Sequence, residues 1–566
     1  MESANGSGLI PQALRVLGDR EAQRELRLGL DLVRRSLEAL NSEDFLRRSP
    51  DPWLYFYEDF LGAYNPKLRK DAGVYYTPAG VVGLQVRLAS ELLETRFGKP
   101  LGFADDGVTF LDPAAGTGAY LLAAVRDGLE RVREHRGVGA VGGRASLVAH
   151  QMAGFELLVG PYAVAHLRLS QVIMAEGGRL PESGLRFHLT DTLENPFRAT
   201  SALALSERRL VEEHEAASRI KREGQVLVIL GNPPYDRQEI ENGWGHTERK
   251  GGWVRHGDPN AQEPSRKRPI LEDFLEPARA SGQGIHIKNL YNDYVYFWRW
   301  ALWRAFEQQA GGGVVTFITA SSYLAGPGFV GMREEMRRAF DEVWVLDLGG
   351  DNLGTRKTPN VFNIRTPVGI LIGFRSPQPN RGQPAQVRYA SVEGVTRESK
   401  LSELDAIRGF SDVSWQECRS AWQAPFLRAG QGDYFEWPLL TDLFPWQHSG
   451  VQFKRTWPIG VTRDVLLRRW RALVGARTRD QKIVLLRDTG KMLDKARNGQ
   501  PALSSLLAHA LPPQTVTYSF RPFDRRFALY DRRLCDRPRP ELAASLSDEQ
   551  VSFAACSPSL SAMDLR

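Results

Sequence analysis

The chain of 566 residues is too long for one ordinary hydrophobic core, so we expect two or three domains. Its composition, 42% hydrophobic and 10% aromatic, is typical of folded globular protein. The N-terminus lacks the basic start and apolar block of a signal peptide, and no apolar run is long enough to span a membrane. Cys418, Cys535 and Cys556 lie far apart and form no CxxC pair, which argues against a zinc finger or disulfide framework. We therefore expect a cytoplasmic protein.

Positive charge is concentrated towards the C-terminus. The whole chain has a formal net charge of +7, whereas residues 451–540 hold 20 basic and 7 acidic side chains, a net charge of +13. The remainder is therefore slightly acidic, at −6. A basic segment on an acidic protein is typical of a polyanion partner, although arginines on solvated helices produce the same count.

The apolar periodicity changes along the chain. Residues 11–60 place leucines and aromatic residues at helical spacings, as in LRLGLDLVRRSLEAL. From 74 to about 375, short β-rich runs alternate with helical segments such as AYLLAAVRDGLERVREH and FVGMREEMRRAF. The predicted strands are Val108–Leu111, Val148–Phe155, Leu185–Leu189, Val226–Leu230, Val314–Ile318, Val343–Leu346 and Val368–Ile372. This alternation predicts an α/β fold with an open, mostly parallel, doubly wound sheet.

Two polar segments interrupt this pattern. Residues 236–270 contain almost no aliphatic side chains and predict a mobile loop. The stretch SPQPNRGQPAQ, 376–386, predicts a boundary before a C-terminal domain at 387–566, whose sequence is rich in tryptophan and mixed in periodicity.

A glycine-containing turn follows the first predicted strand, in TFLDPAAGTGAYLL. The strand ends at Asp112, and Gly116 and Gly118 carry no Cβ that would keep a ligand from the backbone of a helix N-terminus. The carboxyl end of a strand is where doubly wound folds bind ligands. The pattern is neither GxGxxG nor a P-loop, and a tight structural turn explains it equally well by itself.

Acidic residues follow the next two predicted strands. Glu156 at the tip of the second can accept hydrogen bonds from both hydroxyls of a ribose, and Asp191 at the tip of the third can accept one from an adenine amino group. Either acid alone is more often a cap or a surface charge. Their succession after the glycine turn favours a nucleoside site.

The fourth predicted strand ends in Asn-Pro-Pro-Tyr, GNPPY. Prolines stop the strand, so the amide oxygen of Asn232 and the carbonyl of Pro233 are available to hold an exocyclic amine. Tyr235 supplies a flat face for stacking a base. For NPP by itself, a rigid turn with a capping asparagine is the better interpretation.

In this order, YYTP at 75–78, DPAAGTG at 112–118, the two acids and NPPY at 232–235 resemble the γ-class amino-methyltransferases of DNA. The resemblance covers roughly 70–375 and implies a seven-stranded sheet with one reversed strand, S-adenosylmethionine as the cofactor, no metal, and N6 of adenine as the usual target. It also identifies Phe362 in TPNVFNIRTP as a second stacking residue that forms a sandwich with Tyr235, although a phenylalanine just before a strand-like run is equally expected in the core. The implied cofactor-binding residues are Tyr76, Thr77, Pro78, Asp112, Ala114, Gly116, Gly118, Glu156, Asp191 and Asn232; the implied catalytic residues are Asn232, Pro233, Pro234, Tyr235 and Phe362.

The outer parts are similar to the methylase and target-recognition half of type ISP restriction-modification enzymes. This resemblance implies a helical coupler at 1–70, a methyltransferase domain at 71–375, and a mixed α+β target-recognition domain at 387–566 that is expected to be incomplete. The partners implied are double-stranded DNA and, because no P-loop is present, a separate nuclease and translocase or other phage-defence proteins. The expected DNA contacts are Trp244, Lys250 and Arg255 in the loop, unless it is an inert insertion, and Trp457, Trp470, Arg521, Arg525 and Arg526 in the basic region.

Three alternatives share some of these residues. N4-cytosine methylation poses the same amine problem, and protein-glutamine methyltransferases also use NPPY but need no large basic domain. A non-catalytic DNA-recognition subunit of a defence complex is the third. C5-cytosine methylation is not expected, because no cysteine follows a proline.

Overall fold

The computed structural model describes most of the chain from Thr77 to Ser545. The described ranges are 77–198, 208–235, 251–350, 359–428 without 363 and 365, 450–486 without 454, and 500–545 without 522 and 523, together with 438, 443, 493, 494 and 496. The chain forms two compact units that divide between Ala429 and Gly430. Each unit is described by itself below.

The first unit begins with alternating helices and strands. Its elements up to the fourth strand are α1 (Ala79–Phe97), β1 (Phe110–Asp112), α2 (Ala119–Arg136), α3 (Val141–Gln151), β2 (Met152–Glu156), α4 (Val159–Ala175), β3 (Phe187–Leu189), α5 (Arg208–Arg222) and β4 (Val228–Gly231). The four strands are almost wholly buried, as expected for parallel strands covered on both faces.

The second half of this unit completes the sheet. Its elements are α6 (Gly252–His256), α7 (Pro264–Lys267), α8 (Glu272–Ala280), α9 (Asp293–Phe306), β5 (Gly313–Ala320), α10 (Val330–Ala339), β6 (Glu342–Gly349), β7 (Val368–Arg375), β8 (Gln386–Ser391), α11 (Arg397–Ala406) and β9 (Gln416–Glu417). Buried apolar side chains form one core on each face of the sheet. One core includes side chains of α1 to α4, and the other includes the aromatic helix α9.

Nine strands of the described residues form one sheet, in the order β3-β2-β1-β4-β5-β7-β6-β8-β9. The first seven are parallel except β7, which runs antiparallel to both β5 and β6. This confirms the predicted doubly wound sheet with one reversed strand. The register pairs Asp112 with Gly154 and Glu156 with Leu189, so the carboxyl ends of β1, β2 and β3 meet at one edge.

Four expectations need correction. Residues 148–151 belong to α3 rather than to a strand, because Val141, Ala145 and Val148 bury one helical face. The segment 376–386 is a loop within the first unit, since β8 pairs with β6 and extends the sheet beyond the seven predicted strands. Within the predicted mobile loop, residues 252–256 form a helix that buries Trp253. Trp470, expected on the DNA, lies in the core of the second unit.

The second unit is a mixed α+β structure, as predicted. Its elements are β10 (Ile459–Gly460), α12 (Arg463–Gly475), α13 (Arg479–Leu486), β11 (Gln514–Arg521), β12 (Asp524–Tyr530) and α14 (Pro540–Ser545). The three strands form an antiparallel sheet in the order β10-β12-β11. Leu466, Trp470 and Leu529 belong to its core.

Several predicted segments fall outside the described residues. They are the predicted helical coupler at 1–70, the cofactor-binding candidate Tyr76, and the loop residues Trp244 and Lys250. Across the described part of the chain, no helix combines the length and apolar character needed for a membrane span.

Candidate functional site

The turn between β1 and α2 has the backbone that its glycines predict. Gly116 and Gly118 have φ of 54° and 79°, values that L side chains rarely adopt. A Cβ built on Gly116 meets no atom within 4 Å, so space remains beside the turn. Gly118 precedes α2 and has no side chain to cap it, so no side chain neutralises the positive end of this helix.

Glu156 ties this turn to the end of β2. One carboxylate oxygen accepts from the Gly116 backbone N–H at 2.8 Å, and the other accepts from Leu158 N–H at 2.7 Å. Ala115 N–H also donates to the Phe155 carbonyl at 2.9 Å. Burial raises the pKa of Glu156 above its ordinary value, opposed by these backbone donors. The predicted ribose acid therefore also fixes the shape of the glycine turn.

Asp112 is a fully buried carboxyl group at the end of β1. Its Oδ1 accepts from Ala114 N–H at 3.0 Å, whereas no donor of the described residues reaches Oδ2. Burial, followed by the repulsion of Glu156, raises the pKa of Asp112 to about 8. A Cβ on Gly231 would lie 2.7 Å from Asp112 Oδ1, so the glycine before Asn232 lets β4 pass this carboxyl group.

The raised pKa of Asp112 predicts a pH-dependent stability. Because the folded state keeps this proton up to about pH 8 while the unfolded chain releases it near 3.8, the stabilisation is complete below pH 3.8 and is lost as pH rises towards 8. We expect the unfolding free energy of the wild type, relative to Asp112→Asn, to fall by about 1.4 kcal/mol per pH unit across this window. Urea unfolding of both proteins between pH 5 and 8 measures it; a constant difference would contradict a neutral Asp112.

The loop after β3 is held by a lysine that sequence reasoning missed. Asp191 is exposed, and its Oδ1 accepts from Leu193 N–H at 2.9 Å. Lys221 is fully buried, and its Nζ donates to Thr190 Oγ1 at 2.8 Å, the Asp191 carbonyl at 2.7 Å and Glu194 at 3.0 Å. Burial lowers the pKa of Lys221, opposed by Glu194. A lysine at the end of a polar helix gives no sequence signal for this role.

The end of β4 orients the Asn232 amide. Its Nδ2 donates to Thr77 Oγ1 at 2.9 Å, and its Oδ1 accepts a short hydrogen bond from the Tyr235 hydroxyl. That hydroxyl also lies 3.3 Å from the Ile318 carbonyl. Desolvation raises the pKa of Tyr235 above its usual range, so the hydroxyl remains a donor at neutral pH. Thr77, predicted to bind the cofactor, thus contacts the asparagine, while Pro78 precedes α1 as its N-cap residue.

Phe362 lies beside Tyr235, but the two rings do not form the expected sandwich. Their centroids are 6.3 Å apart and their planes meet at 78°, an edge contact. Phe362 is 4% exposed and belongs to the core that also contacts Tyr235. Its backbone N–H donates to Asn360 Oδ1 at 2.8 Å. The structure therefore brings Phe362 to the site, with its ring packed into the core.

The predicted DNA contacts are spread over both units. In the first, the Arg255 guanidinium lies 4.5 Å from the Tyr291 ring centroid. In the second, Arg525 is exposed, while Arg526 pairs with Asp524 at 2.9 Å. The side chain of Arg521 lies outside the described residues.

Of the remaining predicted residues, Ala114 lies in the glycine turn, and Pro233 and Pro234 follow β4. In the described part of the chain, no cluster of three or more His, Cys, Asp or Glu side chains is arranged to hold a metal ion.

Comparison with protein families finds two matches. Residues 51–250, which include the glycine turn, both acids and Asn232, match the N-6 DNA methylase family. Residues 442–560, within the second unit, match the type ISP C-terminal specificity domain. No curated protein sequence matches the chain.

Three of the similar solved structures cover at least 82% of this chain. A nuclease-deletion mutant of the type ISP restriction-modification enzyme LlaGI with a DNA substrate mimic has a TM-score of 0.62 and 18% identity over 94% of this chain and 42% of its own. The DrdV–DNA complex has a TM-score of 0.60 and 21% identity, covering 92% and 49%. The ATP-dependent type ISP restriction-modification enzyme LlaBIII bound to DNA has a TM-score of 0.56 and 18% identity, over 82% of this chain and 31% of its own. The chain thus spans less than half the length of these neighbours, and the likeness shows the fold.

Proposed function

We propose that this chain, which combines an N-6 DNA methylase region with a type ISP specificity region, is a site-specific DNA adenine-N6 methyltransferase that uses S-adenosylmethionine. One observation carries the proposal. The Asn232 amide is oriented by Thr77 and Tyr235 at the end of β4, in the sheet position next to the β1 strand that leads into the glycine turn. An amine acceptor and a nucleoside-binding turn therefore occupy neighbouring strand ends.

The residues present fit this cofactor. The space beside Gly116 and the uncapped N-terminus of α2 suit a polar ligand close to the backbone. Glu156 would accept hydrogen bonds from the ribose hydroxyls and Asp191 one from the adenine amino group, as in other doubly wound nucleotide sites. Tyr76, Pro78, Asp112, Ala114 and Gly118 complete the proposed cofactor-binding set; Thr77 and Asn232 also belong to it but are proposed to contribute little to its affinity. When bound, S-adenosylmethionine supplies an electrophilic sulfonium methyl group.

The chain's own residues would prepare the adenine amine. Asn232 Oδ1 and the Pro233 carbonyl each accept one N–H of the amine, which leaves the nitrogen lone pair directed away from both. A fixed amide costs no reorganisation when the nitrogen attacks, so catalysis is chiefly positioning. Asn232 and Pro233 would hold the amine so that its nitrogen can take up the methyl group that the cofactor supplies and give its extra proton to water.

The adenine must leave the double helix to reach Asn232, because an amine within a base pair is inaccessible. Tyr235 and Phe362 are the proposed stacking residues for the flipped base, and Pro234 stiffens the turn between Asn232 and Tyr235. Since the two ring planes meet at 78° in a T-shaped contact, a sandwich requires Phe362 or the base to adjust on binding.

The basic second unit is proposed to select the DNA sequence. Its exposed Arg525 and the arginines around β12 suit phosphate contacts, which position a protein on the duplex. We further propose that the protein works in the cytoplasm within a restriction-modification or phage-defence system. The proposed partners are double-stranded DNA and the nuclease, translocase and other defence functions of the same system.

Sequencing that detects modified bases tests the proposal directly. The chain is expressed alone in a host without adenine methylation, and the expected result is N6-methyladenine at one recurrent sequence. The same host carrying Asn232→Ala should show none. Detection of N4-methylcytosine would show that cytosine, and not adenine, is the target base. Unmodified DNA together with methylated protein would overturn the proposal.

The hydrogen bond from Asn232 to Thr77 provides a second prediction. Thr77→Val keeps the side-chain shape but removes the acceptor for Asn232 Nδ2, so the amide loses its fixed orientation. We expect kcat for methyl transfer to fall about tenfold while cofactor affinity changes by less than about threefold. Steady-state kinetics and calorimetry measure the two quantities; a weaker cofactor affinity with normal kcat would assign Thr77 to cofactor binding instead.

A further inference from the structure

A second buried lysine lies beyond the region that sequence analysis assigned to catalysis. Lys400 in α11 is 2% exposed, and its Nζ donates to the Leu348 carbonyl at 2.6 Å and the Pro359 carbonyl at 2.9 Å. These carbonyls stand at the two ends of the connection from β6 towards Phe362. The Lys400 ammonium group therefore links the backbone of Leu348 to that of Pro359.

A buried lysine opposes folding unless its hydrogen bonds compensate for the lost hydration. Burying an ammonium group and fixing a lysine side chain both oppose folding, and a carbonyl that loses its buried donor costs about 1–3 kcal/mol. The glycine at position 394 also leaves room for Lys400, because any side chain there would collide with the lysine backbone. A Cβ on Gly394 would lie 2.6 Å from Lys400 N and 2.9 Å from its Cα.

Neighbouring contacts fix the residues just before Phe362. Arg397, one turn earlier in α11, donates through Nε to the Val361 carbonyl at 2.9 Å. Asn360 is 5% exposed; it accepts from Phe362 N–H and donates to the Thr366 carbonyl at 2.7 Å. Side chains therefore form hydrogen bonds with the backbone of Pro359, Val361 and Phe362, which leaves only Asn360 in this stretch without such a bond among the described residues.

We infer that Lys400 is a positioning residue for the target base. It holds the 359–362 backbone from α11, and through it sets the Phe362 ring against the edge of Tyr235. The inference rests on the proposed function, because Phe362 matters to catalysis only if a base is stacked there. Among the described residues, the hydrogen bonds of Lys400 Nζ go to Leu348 and Pro359, which lie outside strands β1 to β3, so its effect should appear in turnover rather than in cofactor affinity.

Lys221 provides a matched control. It is equally buried and also bonds to backbone and side-chain oxygens, but it holds the loop of Asp191 at the cofactor end. Lys400→Met and Lys221→Met each keep the aliphatic length and remove one buried ammonium group. Their losses of stability should be similar, whereas their kinetic effects should differ.

The test combines kinetics with hydrogen exchange. Unmethylated phage DNA and radiolabelled S-adenosylmethionine are the substrates, and unfolding temperatures are recorded for each variant. For Lys400→Met we expect kcat to fall about 10- to 100-fold with KM for S-adenosylmethionine within about twofold, and faster amide exchange in the peptide containing Phe362. For Lys221→Met we expect KM for S-adenosylmethionine to rise about tenfold and kcat to change by less than about threefold.

A milder variant protects the test from a folding defect. Arg397→Met removes one hydrogen bond from a half-buried side chain, and it should lower kcat in the same direction by about threefold. Faster exchange at Phe362 with wild-type kcat in both variants would overturn the inference, as would equal effects of Lys400→Met and Lys221→Met on KM. Wild-type protein that transfers no methyl group to DNA would instead refute the proposed function. The exchange measurement would still show whether Lys400 holds the 359–362 backbone.

Discussion

Asn232→Ala is expected to abolish methyl transfer while leaving the cofactor site intact. The substitution removes the amide oxygen that is proposed to accept the target amine, and it also leaves the Tyr235 hydroxyl and Thr77 without their shared partner. Loss of one preorganised polar group at a reacting centre lowers kcat by about 100- to 1,000-fold. Radiolabel transfer to unmethylated DNA measures the loss, and calorimetric titration with S-adenosylmethionine should give an affinity within about threefold of wild type.

Asn380→Ala is the matched control for this change. Asn380 is an exposed asparagine in the loop before β8, where its Oδ1 accepts from Gly382 N–H at 3.2 Å. It lies on a surface turn, so its removal should leave kcat unchanged. Methyl transfer by Asn232→Ala at more than about a tenth of the wild-type rate would refute the assigned role.

Glu156→Gln is expected to weaken cofactor binding most. Both carboxylate oxygens accept backbone N–H groups, and a glutamine must turn its NH₂ group towards one of these donors. The change therefore disturbs the glycine turn and removes the charge that would accept the ribose hydroxyls. We expect the dissociation constant for S-adenosylmethionine to rise about 10- to 100-fold, corresponding to about 1.4–2.8 kcal/mol, with kcat at saturation lowered far less.

Glu130→Gln tests whether charge alone is responsible. Glu130 lies in α2, the helix that follows the glycine turn, but its side chain is 60% exposed and, among the described residues, forms an ion pair only with Arg133 one helical turn away. Such a pair contributes little, so cofactor affinity should remain unchanged. A weakened affinity in this control, equal to that of Glu156→Gln, would point to the overall charge of the region rather than to the turn.

The order of the site along the sheet follows from the sequence. Continuous apolar runs predict buried parallel strands, and parallel strands bring their carboxyl ends to one edge. Asp112, Glu156, Asp191 and Asn232 could therefore be grouped before any coordinates were known. The one reversed strand came from the resemblance to the methyltransferase class, and β7 confirms it.

Other features gave weak or misleading signals. The run Val148–Phe155 is apolar enough for either a helix or a strand, and its first half completes α3. β8 is half exposed and follows a proline-rich loop, so it looked like the start of a new domain. Lys221 and Lys400 are buried because they bond to carbonyl groups 30 or more residues away along the chain. The sequence gives no sign of these partners, and a lysine is ordinarily expected on the solvent-exposed surface.

The place where the two units divide has a consequence for exchanging specificities between related proteins. A chimera joined at 386 would replace β8, which pairs with β6, and α11, whose Lys400 bonds to Leu348 and Pro359. A replacement strand that pairs poorly with β6 would leave an open sheet edge that favours aggregation. A junction at 429–430 leaves the nine-stranded sheet whole and transfers the second unit as one piece. Grafts that exchange the second unit should therefore begin after Ala429, so that the proposed recognition specificity changes without rebuilding the nine-stranded sheet.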